Sequence, residues 1–164
     1  MTEFQPAFEY VMTWEDPKGE CATVPDVGGQ AISGINSAAY PEQFAAIEAL
    51  SQEDRPLAVE NFYQTEFWAK LHVDGLLSQD LANRVMDQSV NGGLETGPIL
   101  LQRTVGVEED GDIGPLTLAA VNAIPQSVLL PKWRQVRLKH YQDIVTNKPQ
   151  LAKFLPEWMR RAEA

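Results

Sequence analysis

The sequence predicts a mainly helical single domain with a small loop or hairpin lobe after its first helix. Three observations predict this fold class. Apolar residues recur at helical spacing through most of the chain, no stretch alternates with period two for long, and helix breakers crowd into residues 16–36. At 164 residues one domain is the simplest organisation, and a hydrophobic fraction of 44% is ample for a core.

Phe4, Phe8, Val11 and Met12 fall at helical spacing with Trp14 beside them, so residues 4–15 read as a helix that Pro17 and Gly19 stop. Residues 16–36 carry Pro17, Gly19, Pro25, Gly28, Gly29 and Gly34 and read as an ordered loop with room for a short hairpin. Val24, Ile32 and Ile35 are its candidate ties to the core. A helix follows from Pro41 to about Leu50, since proline suits a first turn. The next runs from about Pro56 to Leu71 behind an apolar face of Val59, Phe62, Tyr63, Phe67 and Leu71.

Ser78 to Val90 is a further helix with Leu81, Val85 and Met86 inward, and Asn91-Gly92-Gly93 ends it through the left-handed backbone that glycine tolerates. Residues 94–105 form the following helix. The acidic, glycine-rich GVEEDGDIGP then feeds a short helix through Leu116, Leu118, Ala119 and Val121. Val128 to Val145 is a long helix, and Leu151 to Ala162 supplies one or two short ones broken at Pro156.

Thirteen basic residues against twenty-three acidic ones give a net charge of −10. That argues against a nucleic-acid binder, which needs a basic stripe to displace counterions from phosphates. Cys21 is the sole cysteine, so no intrachain disulfide forms. The N-terminal MTEFQPAFEY has neither the basic leader nor the apolar core of a standard secretory signal, and no run approaches the length of a membrane span.

Glu15 ends the first helix beside Trp14. An indole next to a carboxyl group excludes water and favours the protonated form, which is the state a proton donor needs. Asp26, eleven residues on in the loop, is placed to stay ionised and activate a water. Two carboxyl groups in different surroundings are what glycosidic hydrolysis uses. The plain alternative stands beside this reading: a helix-end glutamate is ordinarily a solvated surface acid. Asp16 competes for the same role, or hydrogen-bonds the turn before Gly19.

EEDGDIG over residues 108–114 resembles a calcium loop only superficially, because the terminal bidentate glutamate is absent, and a turn that positions the next helix is the better reading. His72 and His140 have no companion at metal-site spacing. Cys21 lies near neither in sequence. Tyr63, Trp68, Trp133 and Trp158 are candidates to line a sugar groove, since flat rings pack on pyranose faces, with core packing as the ordinary alternative.

The order of these pieces resembles glycoside hydrolase family 108, the phage- and prophage-type N-acetylmuramidases with a C-terminal peptidoglycan-binding-like segment. The pieces that carry the resemblance are the helix Phe8 to Glu15, then Asp26-Val27-Gly28-Gly29 and Gly34-Ile35-Asn36. Tyr63 to Trp68 and Asp87 to Gly93 follow. The C-terminal half adds Leu101-Gln102, Gly106-Val107, Asp110-Gly111, Ile113-Gly114-Pro115 with Thr117, Arg137 with Tyr141, and Trp158 with Arg161. The chain departs from the family after the acid, where Glu-Gly-Gly becomes Glu15-Asp16-Pro17-Lys18-Gly19, and where family threonines become Ala31 and Asn36.

The resemblance implies a lysozyme-like helical domain, with 1–96 as the catalytic region and 97–164 as a peptidoglycan-binding-like segment packed into the same compact domain. It implies hydrolysis of the β-1,4 link between N-acetylmuramic acid and N-acetylglucosamine, with Glu15 as acid, Asp26 as base or electrostatic partner, and Tyr63, Trp68, Asn91 and Asn36 as substrate contacts. It calls for no cofactor and no metal. Bacterial peptidoglycan is the implied partner, reached from the host cytoplasm through a holin-like pore or an export step, without nucleic acid or stable membrane insertion. Two alternatives remain open at this point: a catalytically weakened cell-wall-binding protein, and a phage structural or secretion-associated protein that reuses the fold.

Overall fold

The computed structural model describes residues 1–164 as nine α-helices and a three-stranded antiparallel sheet. Helix α1 covers Phe4–Glu15 and buries Ala7 and Val11 against the central helix α5, Gln79–Gly92. Ser78 caps α5, its hydroxyl accepting the Leu81 amide at 3.2 Å. The lobe between them is β1 (Thr23–Asp26), β2 (Gly29–Ile32) and β3 (Ile35–Asn36), in that spatial order. Thr23 faces Ile32 and Asp26 faces Gly29, which leaves Val27-Gly28 as a two-residue hairpin turn.

The remaining helices are α2 (Pro41–Glu48), α3 (Arg55–Tyr63), α4 (Ala69–Leu71), α6 (Thr96–Val105), α7 (Pro115–Asn122), α8 (Gln126–Asn147) and α9 (Leu155–Glu163). One hydrophobic core joins Val11, Ile35, Tyr63 and Val85 with Leu101, Ile113, Leu129 and Trp133, and so runs without interruption past residue 96. No helix is long and apolar enough to cross a membrane.

The structure corrects several expected boundaries. The helix expected over 56–71 is interrupted by a π turn at Gln64–Trp68, which brings Phe67 onto Tyr63 at 5.7 Å in a stacked pair. Helix α5 continues through Asn91 and Gly92, and only Gly93, at φ +99°, leaves it. Pro156 does not break the C-terminal helix. It sits in the first turn of α9, where a missing amide costs nothing, and a 3-10 segment at Pro149–Phe154 precedes it. Ile32 and Ile35 tie the sheet to the core as expected, but Val24 is 48% exposed and does not.

The 106–115 loop is a turn built around one buried amide. Gln102 Nε2 donates to Asp110 Oδ1 at 2.5 Å, to the Asp112 carbonyl at 2.9 Å and to Thr117 Oγ1 at 3.2 Å. Gln102 Oε1 accepts the Gly111 amide at 2.9 Å. The spaced residues Gln102, Asp110, Gly111 and Thr117 are therefore one hydrogen-bonded unit that aims α7.

Candidate active site

Glu15 is the last residue of α1, and its side chain is 18% exposed. What holds the chain after it is Asp16. The Asp16 carboxylate accepts the amides of Glu20 at 3.1 Å and Cys21 at 2.8 Å, and the Ser33 hydroxyl at 2.7 Å. The Asp16 carbonyl accepts the Gly19 amide at 2.9 Å, closing a turn with Pro17 at its second position. Three donors converge on one carboxylate and fix the turn that follows Glu15. Asp16 is thus a turn-former and not a rival acid. Burial raises its pKa, but the hydrogen bonds from Ser33, Cys21 and Glu20 outweigh that and hold it below the ordinary value.

Asp16→Ala should therefore destabilise the fold by about 1–3 kcal/mol near neutral pH, by leaving three donors unpaired. The carboxyl titrates lower in the folded chain than in the unfolded one. Its contribution is therefore complete above the unfolded pKa of about 4 and fades as pH falls through the folded value. Thermal melts of both proteins should converge in acid; a gap that stays constant down to low pH contradicts this account.

The next support for Glu15 is the turn Ser33-Gly34 between β2 and β3, with φ +46° and +80°. Both residues are left-handed, as the favoured two-residue hairpin turn requires. Asp16 holds Ser33 from one side, and the Tyr63 hydroxyl donates to the Ser33 carbonyl at 2.7 Å from the other. A Cβ on Gly34 would stand 2.6 Å from Glu15 Oε2 and 2.7 Å from the Tyr63 hydroxyl. Glycine is needed here for its backbone and because the acid lies against it.

Asp26 closes β1 on the exposed lip of the lobe. Its Oδ2 accepts Asn36 Nδ2 at 2.7 Å and its Oδ1 accepts the Val27 amide at 2.6 Å. Glu15 and Asp26 line one cavity of about 390 Å³ with Trp14, Asn91, Trp158 and Arg161. Pro17 and Lys18 do not obstruct it: they line a second cavity of about 250 Å³, which Glu15 also borders. Glu15 therefore lines both hollows.

Behind the cavity lies a buried charged cluster. Arg161 Nη2 of α9 lies 2.7 Å from Glu15 Oε1 and 2.8 Å from Asp87 Oδ1. Arg137 Nη2 of α8 contacts Asp87 Oδ2 at 2.8 Å, and both of those side chains are fully buried. Gln88 Oε1 accepts Arg137 Nε at 2.7 Å and the Tyr141 hydroxyl at 3.0 Å, and Asn91 Nδ2 donates to that same hydroxyl at 2.9 Å. Burial works against the charge on Arg161, but Asp87 and then Glu15 overcome it, so this guanidinium stays protonated.

The expected substrate contacts divide. Asn91 lines the cavity. Tyr63 does not reach it: it is 1% exposed, its ring is packed among Phe8, Phe62 and Phe67, and its hydroxyl is spent on Ser33. Trp68 lies against Phe4 at 6.0 Å, outside the cavity lining. Asn36 is saturated by protein partners. Its amide nitrogen holds Asp26 and the Val27 carbonyl, and its oxygen accepts the amides of Ala38 and Ala39. It orients Asp26 and has no group left for a sugar. Of the other aromatics, Trp133 is core, whereas Trp158 lines the cavity and stacks on Tyr141 and Phe154. Cys21 is buried, and burial pushes its thiol up, away from nucleophilic use.

Sequence reasoning gave Asp87, Arg137 and Arg161 no role. A signal was present in α8: Leu129, Trp133, Arg137 and Tyr141 recur every four residues and are all buried. An arginine within an apolar stripe announces a buried counter-charge.

Residues 97–163 match the family described as "Predicted Peptidoglycan domain". No curated protein matches the chain. Among solved structures, that of Brucella abortus SagA shares the fold with a TM-score of 0.66, at 23% identity, over 97% of this chain and 92% of that one. Residues 8–93, just over half of the chain, match the family described as "Glycosyl hydrolase 108". The chain belongs to that family and is a glycoside hydrolase.

Proposed function

We propose that the protein is an N-acetylmuramidase that cleaves the β-1,4 link between N-acetylmuramic acid and N-acetylglucosamine in bacterial peptidoglycan. The observation that carries this reading is the placement of Glu15 and Asp26 on one cavity, in a family member whose C-terminal segment matches a peptidoglycan domain. Glu15 passes a proton to the glycosidic oxygen, the bond from that oxygen to the anomeric carbon breaks, and water supplies the hydroxyl of the new reducing end. Asp26, held by Asn36 and the Val27 amide, activates that water or stabilises the positive charge that develops on the sugar. Asn91 and Trp158 contact the substrate in the same hollow.

In this reading residues 1–96 carry the two carboxyl groups, and 97–164 form the wall-recognising segment within the same compact body. The site of action is the cell wall, reached through a holin-like pore or an export step. The test is clearance of a purified peptidoglycan suspension by the wild type, Glu15→Gln and Asp26→Asn. Loss in both variants supports the assignment. Binding to sacculi without release of soluble fragments would instead make this a wall-binding protein.

Gly34→Ala probes the support of the acid. The new methyl group has to displace Glu15 Oε2 or the Tyr63 hydroxyl. The left-handed backbone adds about 1–2 kcal/mol of strain. Clearance should fall at least about tenfold, well beyond what the drop in melting temperature explains. Wild-type clearance by this variant would show that the carboxyl position is not critical.

A further inference from the structure

We infer that Arg161 is a positioning residue for Glu15, which makes helix α9 part of the active site as well as part of the wall-recognising segment. The inference rests on the proposed function. Three carboxylate contacts fix the arginine. Its Nη2 reaches Glu15 Oε1 at 2.7 Å and Asp87 Oδ1 at 2.8 Å, and its Nε reaches Asp87 Oδ1 at 2.9 Å. Arg137 occupies the other oxygen of Asp87, so Asp87 cannot swing away. The guanidinium is thus gripped along its Nε–Nη2 edge by a buried acid, and the same Nη2 reaches Glu15. With Oε1 engaged, Oε2 is the oxygen left to handle the proton.

Charge balance gives this contact a chemical role. Arg137 and Arg161 are two positive charges; Asp87 supplies one negative charge, and an ionised Glu15 supplies the second. The cluster is neutral only when Glu15 has given up its proton. Transfer of that proton to the leaving oxygen therefore restores neutrality in a largely buried site, and Arg161 stabilises the carboxylate as it forms.

The other charged or titratable groups around Glu15 do not duplicate this role. Asp16 is saturated in the turn beside it, and Tyr63 of α3 is held protonated by burial. Arg160 of α9 lies over the Trp14 ring at 5.6 Å. Asp26 of β1 and Glu157 of α9 are carboxylates on the same cavity, and Lys18 borders the neighbouring one.

The test is the steady-state kinetics of Arg161→Gln and Arg161→Lys on soluble peptidoglycan fragments, with Glu15→Gln as the blank. Arg161→Gln should lower kcat about a hundredfold with little change in KM. Arg161→Lys keeps the positive charge without the paired Nε and Nη2 contacts to Asp87 that fix it; it should recover part of the rate with KM preserved. If Arg161→Gln does not fold, the same comparison rests on Arg161→Lys, whose kcat must fall with KM preserved. Activity that needs Glu15 but shows the wild-type kcat in Arg161→Gln, or in the lysine variant that replaces it, overturns the inference alone. Activity that survives Glu15→Gln overturns the functional reading and this inference with it.

Discussion

Glu15→Gln should reduce peptidoglycan clearance by about 10²–10⁴-fold, the usual contribution of a positioned general acid. The amide matches the carboxyl group in size and still offers an oxygen to Arg161 Nη2, but it has no acid proton to give. Arg161 keeps its two contacts to Asp87, so the structural cost should be small, about 1–2 kcal/mol or a few degrees of melting temperature. A folded protein with lost activity is thus the expected result, read by paired turbidity and thermal-melt measurements. Unchanged clearance would remove Glu15 from the role of acid.

The largest structural effect should come from Asp87→Ala. Asp87 is fully buried and carries two guanidinium groups, Arg137 on one oxygen and Arg161 on the other. Alanine would leave Arg137 buried with only Gln88 Oε1 and the Arg161 carbonyl as acceptors, neither of them charged. Removing one side of a buried ion pair costs about 3–5 kcal/mol, since the stranded charge has neither water nor partner. For a chain of this size that corresponds to a melting point lower by roughly 6–20 °C. Asp87→Asn, which preserves shape and one acceptor, should recover part of the loss. A melting point within a degree or two of wild type for Asp87→Ala would mean that water reaches the cluster.

The helices were legible because each buries one stripe. Val11 in α1, or Leu81, Val85 and Met86 in α5, report their own burial through their spacing. Glu15 and Asp26 were singled out through a family pattern, and both line one cavity. Less visible was what side chains do across long separations. Tyr63 looks like a groove aromatic in sequence, yet its hydroxyl is drawn inward by the Ser33 carbonyl, thirty residues earlier. Asn36 looks like a free amide, but it is consumed by Asp26, ten residues away. The Asp16-Pro17-Lys18-Gly19 departure looks disruptive until the three donors that converge on Asp16 are seen. Local periodicity reveals which face is buried; it carries no information about which polar groups meet there.

The contact between Glu15 and Arg161 spans 146 positions in sequence. Loop closure over such a span adds little to the equilibrium cost, because that cost grows only with the logarithm of length, but it places the contact late in folding. A partly folded chain can hold α1 and the hairpin lobe in native form while α9 is still undocked. Hydrolytic competence should then appear only when the two ends of the fold meet, and refolding followed in real time should show activity lagging behind the return of helical signal. Simultaneous recovery of both signals would place α9 docking among the early steps.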